Sequence, residues 1–411
     1  MITVENIPDE FRTDHLLLLI GANPLPNYVA ARLLAKPKST IHLLGTGATG
    51  NFAKAVAYLV QKYHATIKTL FWEIDTVNGA KIRQQVQTII KQVERTATVG
   101  LHYTGGTKVM AIHTYRTVAE ARTDTIFSYL DAQTLTMRIE YADASFTRDF
   151  PIKFACDVDL EELLGLHGYG LKTPLRTTAK QPQVTSALAA VYAQKESYNA
   201  YRNWYDRAFP KDFNGENAIA AVQELFENSQ LAPFASALKA VQSPITLETF
   251  ATVAEAKTFR SAATWFNGLW LEEYTLLQLD KAAHELKLKS YTIKLLAKKG
   301  GFKDKRIREF EIDLAALWGY QLYALSCRAT DLPEQAKEHL LEVVVRASQL
   351  GGDEAKCALI CCSDRPENLE VQVNETWFQD ERANQVRVFG RKHLPDLALH
   401  LREWFEATKE A

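Results

Sequence analysis

Leu101-His102-Tyr103-Thr104-Gly105-Gly106-Thr107-Lys108-Val109-Met110 is the stretch on which the architecture turns. Val99 to Tyr103 has the apolar content of a buried strand, Thr104 to Lys108 forms a turn, and helical spacing starts directly behind it. Adjacent glycines at the carboxyl end of a strand let the backbone turn tightly and bring its amides close to a ligand. The hydroxyls of Thr104 and Thr107, the Lys108 cation and a helix N-terminus all favour a phosphate. The same residues also suit an ordinary strand-to-helix turn. The stretch is neither a complete G-x-G-x-x-G nor a Walker loop, so its neighbours must decide.

On either side, short apolar runs alternate with helix-period segments. The runs are Leu16–Ile20, Ile41–Leu44, Ile67–Trp72, Val99–Tyr103 and Thr125–Leu130, and between Asn51 and Tyr63 the positions Phe52, Val56, Leu59, Val60 and Tyr63 share one helical face. This alternation predicts an α/β fold with a parallel, doubly wound sheet over about residues 12–140. In such sheets ligands bind beyond the carboxyl ends of the strands. Three strand ends here carry similar chemistry: Gly21-Ala22-Asn23-Pro24-Leu25-Pro26-Asn27, Gly45-Thr46-Gly47-Ala48-Thr49-Gly50-Asn51, and the Thr104–Lys108 turn. Ser128 to Asp131 supplies a fourth, polar wall. Three such loops on one edge point to a nucleotide-like ligand. A dehydrogenase is disfavoured, because the first strand lacks the dinucleotide fingerprint and the Ile41–Leu44 strand ends in Gly45 rather than an acid.

The 411 residues allow two or three domains, each with its own core. Apolar residues at 47% and charged residues at 24% are ordinary for a soluble globular chain. A net charge of −1 gives no overall attraction to nucleic acid, so any such binding must rest on local patches. Cys156, Cys327, Cys357, Cys361 and Cys362 are odd in number and show no C-x-x-C spacing, which predicts reduced thiols of a cytoplasmic protein and no zinc site. No apolar run reaches membrane-spanning length and no secretory leader is evident.

LHYTGGTKVMA, the GANPLPN loop and FSYLDA together resemble the CARF domain of CRISPR-associated nucleases that bind cyclic oligoadenylates. The resemblance implies a Rossmann-like N-terminal domain and a homodimer, with the ring-shaped activator across a twofold axis. It carries the ligand contacts to Asn23, Asn27, Gly45, Thr46, Thr104, Gly105, Gly106, Thr107 and Lys108.

Residues 152–257 lose strand character and take up helical spacing. Asp157–Gly170 starts with an Asp cap and ends in glycines, His167 is expected to be structural, and 171–185 reads as an exposed linker. The chain thus divides into 1–150 (CARF sensing), 151–257 (helical coupling) and 258–411. In the last part the order is helix, strands near 290–296, 309–318 and 320–326, a helix at 333–349, and a strand at 356–362. This resembles the PD-(D/E)XK core of restriction-endonuclease-like nucleases, with Gly268-Leu269-Trp270-Leu271-Glu272-Glu273, Glu311-Ile312-Asp313 and Leu325-Ser326-Cys327-Arg328 at the motif positions. The later RASQLGGDEA (346–355) also resembles the CARF nucleases.

That second resemblance implies phosphodiester hydrolysis assisted by Mn²⁺ or Mg²⁺, hard cations that take carboxylate oxygens. Asp313 and Glu272 become the metal ligands, and Glu311, two residues from Asp313, shares its strand face. The chain departs from the usual Glu-x-Lys by having Ser326-Cys327-Arg328. Serine offers a neutral oxygen, while arginine can hold a phosphate but does not readily act as a base. Two readings stay open. In one, the nuclease is active and Glu272 or Glu338 replaces the missing strand carboxylate. In the other, a degenerate fold senses the ligand and binds nucleic acid or a partner without cutting.

Lys298, Lys299, Lys303, Lys305, Arg306 and Arg308 crowd the approach to the Asp313 strand, either as a nucleic-acid contact with Phe302 stacking on a base or as a solvated hairpin. The combined expectation is a cyclic oligoadenylate-activated, metal-dependent endonuclease of type III CRISPR defence, cutting DNA and/or RNA, with the tetra-adenylate as activator. Rival expectations are a nucleotide-responsive transcription regulator and an ordinary nucleotide-dependent enzyme using His102 or His113, both expected to be structural.

Overall fold

The computed structural model describes residues 7–143, 145–210, 215–299, 309–375 and 385–407. Among them, β1 (Thr13–Leu19), β2 (Ala35–Gly45), β3 (Lys68–Glu73), β4 (Val99–His102) and β5 (Ile126–Asp131) form a parallel array, extended by antiparallel β6 (Thr136–Tyr141) and β7 (Thr147–Pro151). The order is β3-β2-β1-β4-β5-β6-β7. Each expected apolar run became a strand of this sheet.

The alternation of side chains along β1 shows why both faces are covered. Leu16 and Leu18 pack with α1 (Leu25–Leu34) and α2 (Gly50–Tyr63), whereas Leu17 and Leu19 pack with α3 (Gly79–Ile90) and α4 (Lys108–Ala121). In α2, Val56, Leu59 and Val60 are buried. Tyr63, placed on that face by spacing, is instead 44% exposed at the end of the helix, where its hydroxyl donates to Glu162. The strand order reverses between β1 and β4, so the Gly21 loop and the Thr104–Lys108 turn flank the point where a ligand crevice opens.

Within 157–170, α5 (Leu160–Leu166) is capped by Asp159, whose side chain accepts from the Glu162 amide. It is followed by a short strand, β8 (Tyr169–Leu171), where spacing predicted only helix. β8 pairs with β9 (Ser290–Lys299) and so begins a second sheet with β10 (Glu309–Trp318), β11 (Gln321–Arg328), β12 (Lys356–Cys361) and β13 (Val386–Phe389), in the order β13-β12-β11-β10-β9-β8. The stretch 171–185 is strapped down rather than free: the Arg176 guanidinium grips the buried Glu273 carboxylate at 2.8 and 2.6 Å.

The helical region comprises α6 (Pro182–Ala193), α7 (Lys195–Ala208), α8 (Gly215–Glu227), α9 (Ala232–Val241), α10 (Leu247–Val253) and α11 (Phe259–Thr264). It is built onto the second sheet. Leu188, Tyr201, Trp204 and Phe250 share one core with α12 (Trp270–Leu286) and with Leu314, Ala316 and Leu325 of the sheet. Opposite them, α13 (Pro333–Gly351) lies on β11 and β12. A separate core runs without a break from the first sheet through α5 into Leu295, Phe310, Leu317 and Leu350.

All five cysteines are buried and free. No helix among the described residues is long and apolar enough to cross a membrane.

Candidate functional site

The acidic cleft forms where β9, β10, β11, α12 and α13 converge. Asp313 and Glu311 face it from β10, Ser326 and Arg328 from β11, Glu272 from α12, Lys294 from β9, and His339 and Glu342 from α13, around about 370 Å³. Asp313 is anchored by its neighbouring strand: its Oδ2 accepts from the Ser326 hydroxyl at 3.0 Å and from the Cys327 amide at 2.8 Å. Ser326 therefore supports Asp313 rather than adding a charge.

Glu272 is 3% exposed, and its Oε2 has no hydrogen-bond partner although the Lys294 ammonium stands 3.5 Å away. Burial pushes its carboxyl up to about 7; the nearby Asp313 charge adds to this and Lys294 opposes it. Lys294 itself was not singled out by sequence. It adopts a left-handed backbone, φ +51°, beside Asp313, a strained conformation of the kind found at functional sites. Arg328 directs one Nη1 donor to the Cys327 carbonyl, while its Nε is buried and unpartnered. Glu342, not Glu338, is the α13 acid that lines this cleft.

The donor chemistry fits a hard divalent cation. Glu272 and Asp313 offer carboxylate oxygens, one of them buried and without a hydrogen bond. Among the described residues no group of three or more His, Cys, Asp or Glu side chains stands ready to enclose an ion. Ions of the magnesium type commonly take one or two carboxylates and complete their shell with water and phosphate.

A second opening of about 500 Å³ joins this cleft through Leu269, Arg328 and His339. Its walls include Tyr198 and Arg202 of α7 and the π-helical turn Trp265–Leu269 that precedes α12. Such turns recur at functional sites.

The other cleft, about 660 Å³, opens at the crevice of the first sheet. Asn23, Thr104, Gly105 and Gly106 line it together with Phe52, Tyr129 and His167. Thr104 is fixed because its hydroxyl accepts from the Leu130 amide at 2.7 Å. Asn27 lies fully buried beneath the turn, donating to the Leu19 carbonyl at 2.9 Å. Thr107 caps α4, accepting from the Met110 amide and donating to the Thr76 carbonyl. Gly45, Thr46, Thr107 and Lys108 occupy the same sheet edge but lie outside this cleft's walls.

Lys299 also lines this first-sheet cleft, not the acidic one. The β9–β10 pairing sets Lys294 beside Asp313, and Lys299 lies five residues further on, about 17 Å along the strand. Lys298 is exposed at that same end of β9. Lys303, Lys305, Arg306 and Arg308 lie outside the described residues. His102 is fully buried against Ser128 and held well below the usual imidazole range by burial, which fits a structural role.

At the cleft floor Glu354 is 2% exposed, and burial lifts its carboxyl to about 7 from an ordinary 4.5. The folded state thus binds the proton more tightly than the unfolded chain, so this group costs stability increasingly as pH rises from about 4.5 to about 7. Glu354→Gln is expected to raise the unfolding midpoint at pH 8, by at most about 3 kcal/mol of stability, and to leave it unchanged near pH 4.5. Thermal melts across that range check the sign.

The two sheets define the class: a Rossmann-like, mostly parallel α/β sheet joined to a helical region and a second, six-stranded α/β unit, the fold shared with Can2. Among solved structures, protein VC1899 from Vibrio cholerae superposes with a TM-score of 0.71 at 14% identity, over 96% of this chain and 98% of that one. Can2 from Sulfobacillus thermosulfidooxidans, solved in complex with cyclic tetra-adenylate, superposes with a TM-score of 0.64 at 16% identity, again over 96% and 98%. These likenesses bear out, for the fold, the resemblance to CARF nucleases read from the sequence. No family model matches the chain, and no curated protein sequence does.

Proposed function

We propose that the chain is a cyclic oligoadenylate-activated, metal-dependent nuclease of type III CRISPR defence. The observation that carries the reading is the buried Glu272, whose Oε2 has no hydrogen bond and only the Lys294 ammonium at 3.5 Å, sharing a cleft with the half-buried Asp313 and the unpartnered Arg328 Nε. Buried unpaired polar atoms are costly, so their gathering in one cleft argues for a ligand that satisfies them. An anionic phosphodiester beside a cation suits both.

In this reading Asp313 and Glu272 hold Mn²⁺ or Mg²⁺, and Ser326 and the Cys327 amide keep Asp313 in place. When bound, such an ion supplies an acidified water and neutralises charge developing on the phosphate. Arg328 grips the scissile phosphate, and its planar donors stabilise the added charge without taking a proton. The Lys294 charge favours the ionised form of Glu272 against the burial and the Asp313 charge that raise its carboxyl. The adjoining opening walled by Arg202 and Tyr198 takes the rest of the strand, by charge and stacking rather than base-edge readout, so little sequence preference is expected.

The glycine-turn cleft takes the activator, cyclic tetra-adenylate being the choice supported by the fold shared with Can2. A homodimer fits the exposed apolar side chains of Val77 and Ile112 near this edge, 76% and 64% exposed. The test is a cleavage assay with Mn²⁺ on single-stranded DNA, single-stranded RNA and supercoiled plasmid, with and without cyclic tetra-adenylate. Cutting that needs both metal and activator supports the reading. Activator binding with no cutting under any condition replaces it with a sensor that acts through a partner.

A further inference from the structure

We infer that the activator cleft is a composite site, closed on one side by the nuclease unit of the same chain, and that α13 carries its occupancy to the acidic cleft through Arg346 and Gln349. This rests on the reading of the two clefts as activator and nuclease sites.

The cleft has walls from both units. Asn23, Gly105 and Tyr129 come from the first sheet, and Lys299, Ser348 and Gln349 from β9 and α13. The junction is tight. At Gly352, with φ +67°, a Cβ would lie 1.9 Å from the Asn23 amide nitrogen, so the ligand-facing Asn23 sits directly on backbone that continues from α13.

Helix periodicity then links the two sites. Ala336, Leu340, Val343, Ala347 and Leu350 form the buried stripe of α13. One residue before each runs a parallel polar stripe, Gln335, His339, Glu342, Arg346 and Gln349, with spacings of four, three, four and three residues. Glu342 and His339 line the acidic cleft and Gln349 lines the activator cleft, two turns or about 10 Å from Glu342.

Arg346 stands between them. Its Nη1 donates to the Gln349 side-chain oxygen at 3.3 Å, and its guanidinium lies 5.3 Å from the centre of the Phe310 ring, one residue before Glu311 on the strand that carries Asp313. Its Nε is buried without a partner. A nucleotide that takes the Gln349 amide removes Arg346's partner and lets the guanidinium reposition against Phe310. The Arg346–Gln349 hydrogen bond is then a contact made in only one of the two arrangements, which is what a shift in activity requires.

The test uses the full chain. Calorimetric binding of cyclic tetra-adenylate and activator-stimulated cleavage are measured for the wild type, Arg346→Ala, Arg346→Met (which keeps the stem over Phe310), Gln349→Ala and the Arg346–Gln349 double variant. Both Arg346 variants are expected to bind within about threefold of wild type, because Arg346 does not line the cleft, yet to lose at least about tenfold of the stimulation. Gln349→Ala is expected to lose affinity as well, and the double variant to fall no further in stimulation than the worse single one. Full stimulation in Arg346→Met, or strictly additive losses in the double variant, overturns the inference. Failure of the wild type to bind cyclic tetra-adenylate overturns the activator reading itself, and shows before any variant is compared.

Discussion

Asp313→Asn is expected to lower the cleavage rate by at least about 10³-fold while leaving the protein folded. The amide oxygen of asparagine can accept the same two hydrogen bonds that Asp313 Oδ2 takes from Ser326 and the Cys327 amide, so the strand pairing survives and only the charge is lost. Asp313→Ala is a harsher probe. It strands both donors, the Cys327 amide among them, and should destabilise by about 1–3 kcal/mol besides abolishing cutting. Comparing the two by thermal melts and single-turnover cleavage separates chemistry from folding. Retention of wild-type cutting in Asp313→Asn would sink the assignment of this carboxylate, and with it the metal position.

Gly105→Ala should be the most damaging single methyl group at the cleft proposed for the activator. A Cβ there would stand 2.0 Å from the Leu19 carbonyl oxygen and 2.9 Å from the Gly21 amide, both backbone atoms that cannot swing aside. The turn must therefore move away from β1 and from Asn27 beneath it. A stability loss of about 2–4 kcal/mol is expected, with cyclic tetra-adenylate affinity reduced by about 100-fold or more. Calorimetric titration beside a melting curve reads both. Unchanged affinity in a folded Gly105→Ala protein would place the ligand elsewhere.

What could be read from the chain in advance follows from how local each signal is. The β1–β5 runs and the helix-strand order after residue 258 are set by apolar periodicity, and strands appeared where those runs stand. The turn at Thr104–Gly106 and the acids Asp313 and Glu272 carried local chemistry and were found together with their partners in open clefts. Lys294 was not legible, because a strand lysine normally reads as solvent-facing and its left-handed bend depends on the β9–β10 pairing. Glu338 is the acid that the sequence suggests on α13 and Glu342 the one that lines the cleft, because sequence order does not fix which helical face meets a neighbouring sheet. Lys299 was assigned by its nearness in sequence to Asp313, whereas an antiparallel hairpin carries such residues apart along the strand. The contribution of Ser348 and Gln349 to the first cleft is a purely tertiary fact, though RASQLGGDEA had already marked the segment as part of the same family pattern.

The unbroken core that runs from the first sheet through α5 into Leu295, Phe310 and Leu350 bears on how this chain can be re-engineered. A receptor joined to an effector by a tether can be exchanged as a module, since little apolar surface is exposed at the cut. Here severing the chain between its sheets would lay bare side chains that each half needs for its own stability. New ligand specificities would have to be carved into the existing walls by point substitutions around Asn23, Tyr129 and Gln349, with both halves kept in the same fold.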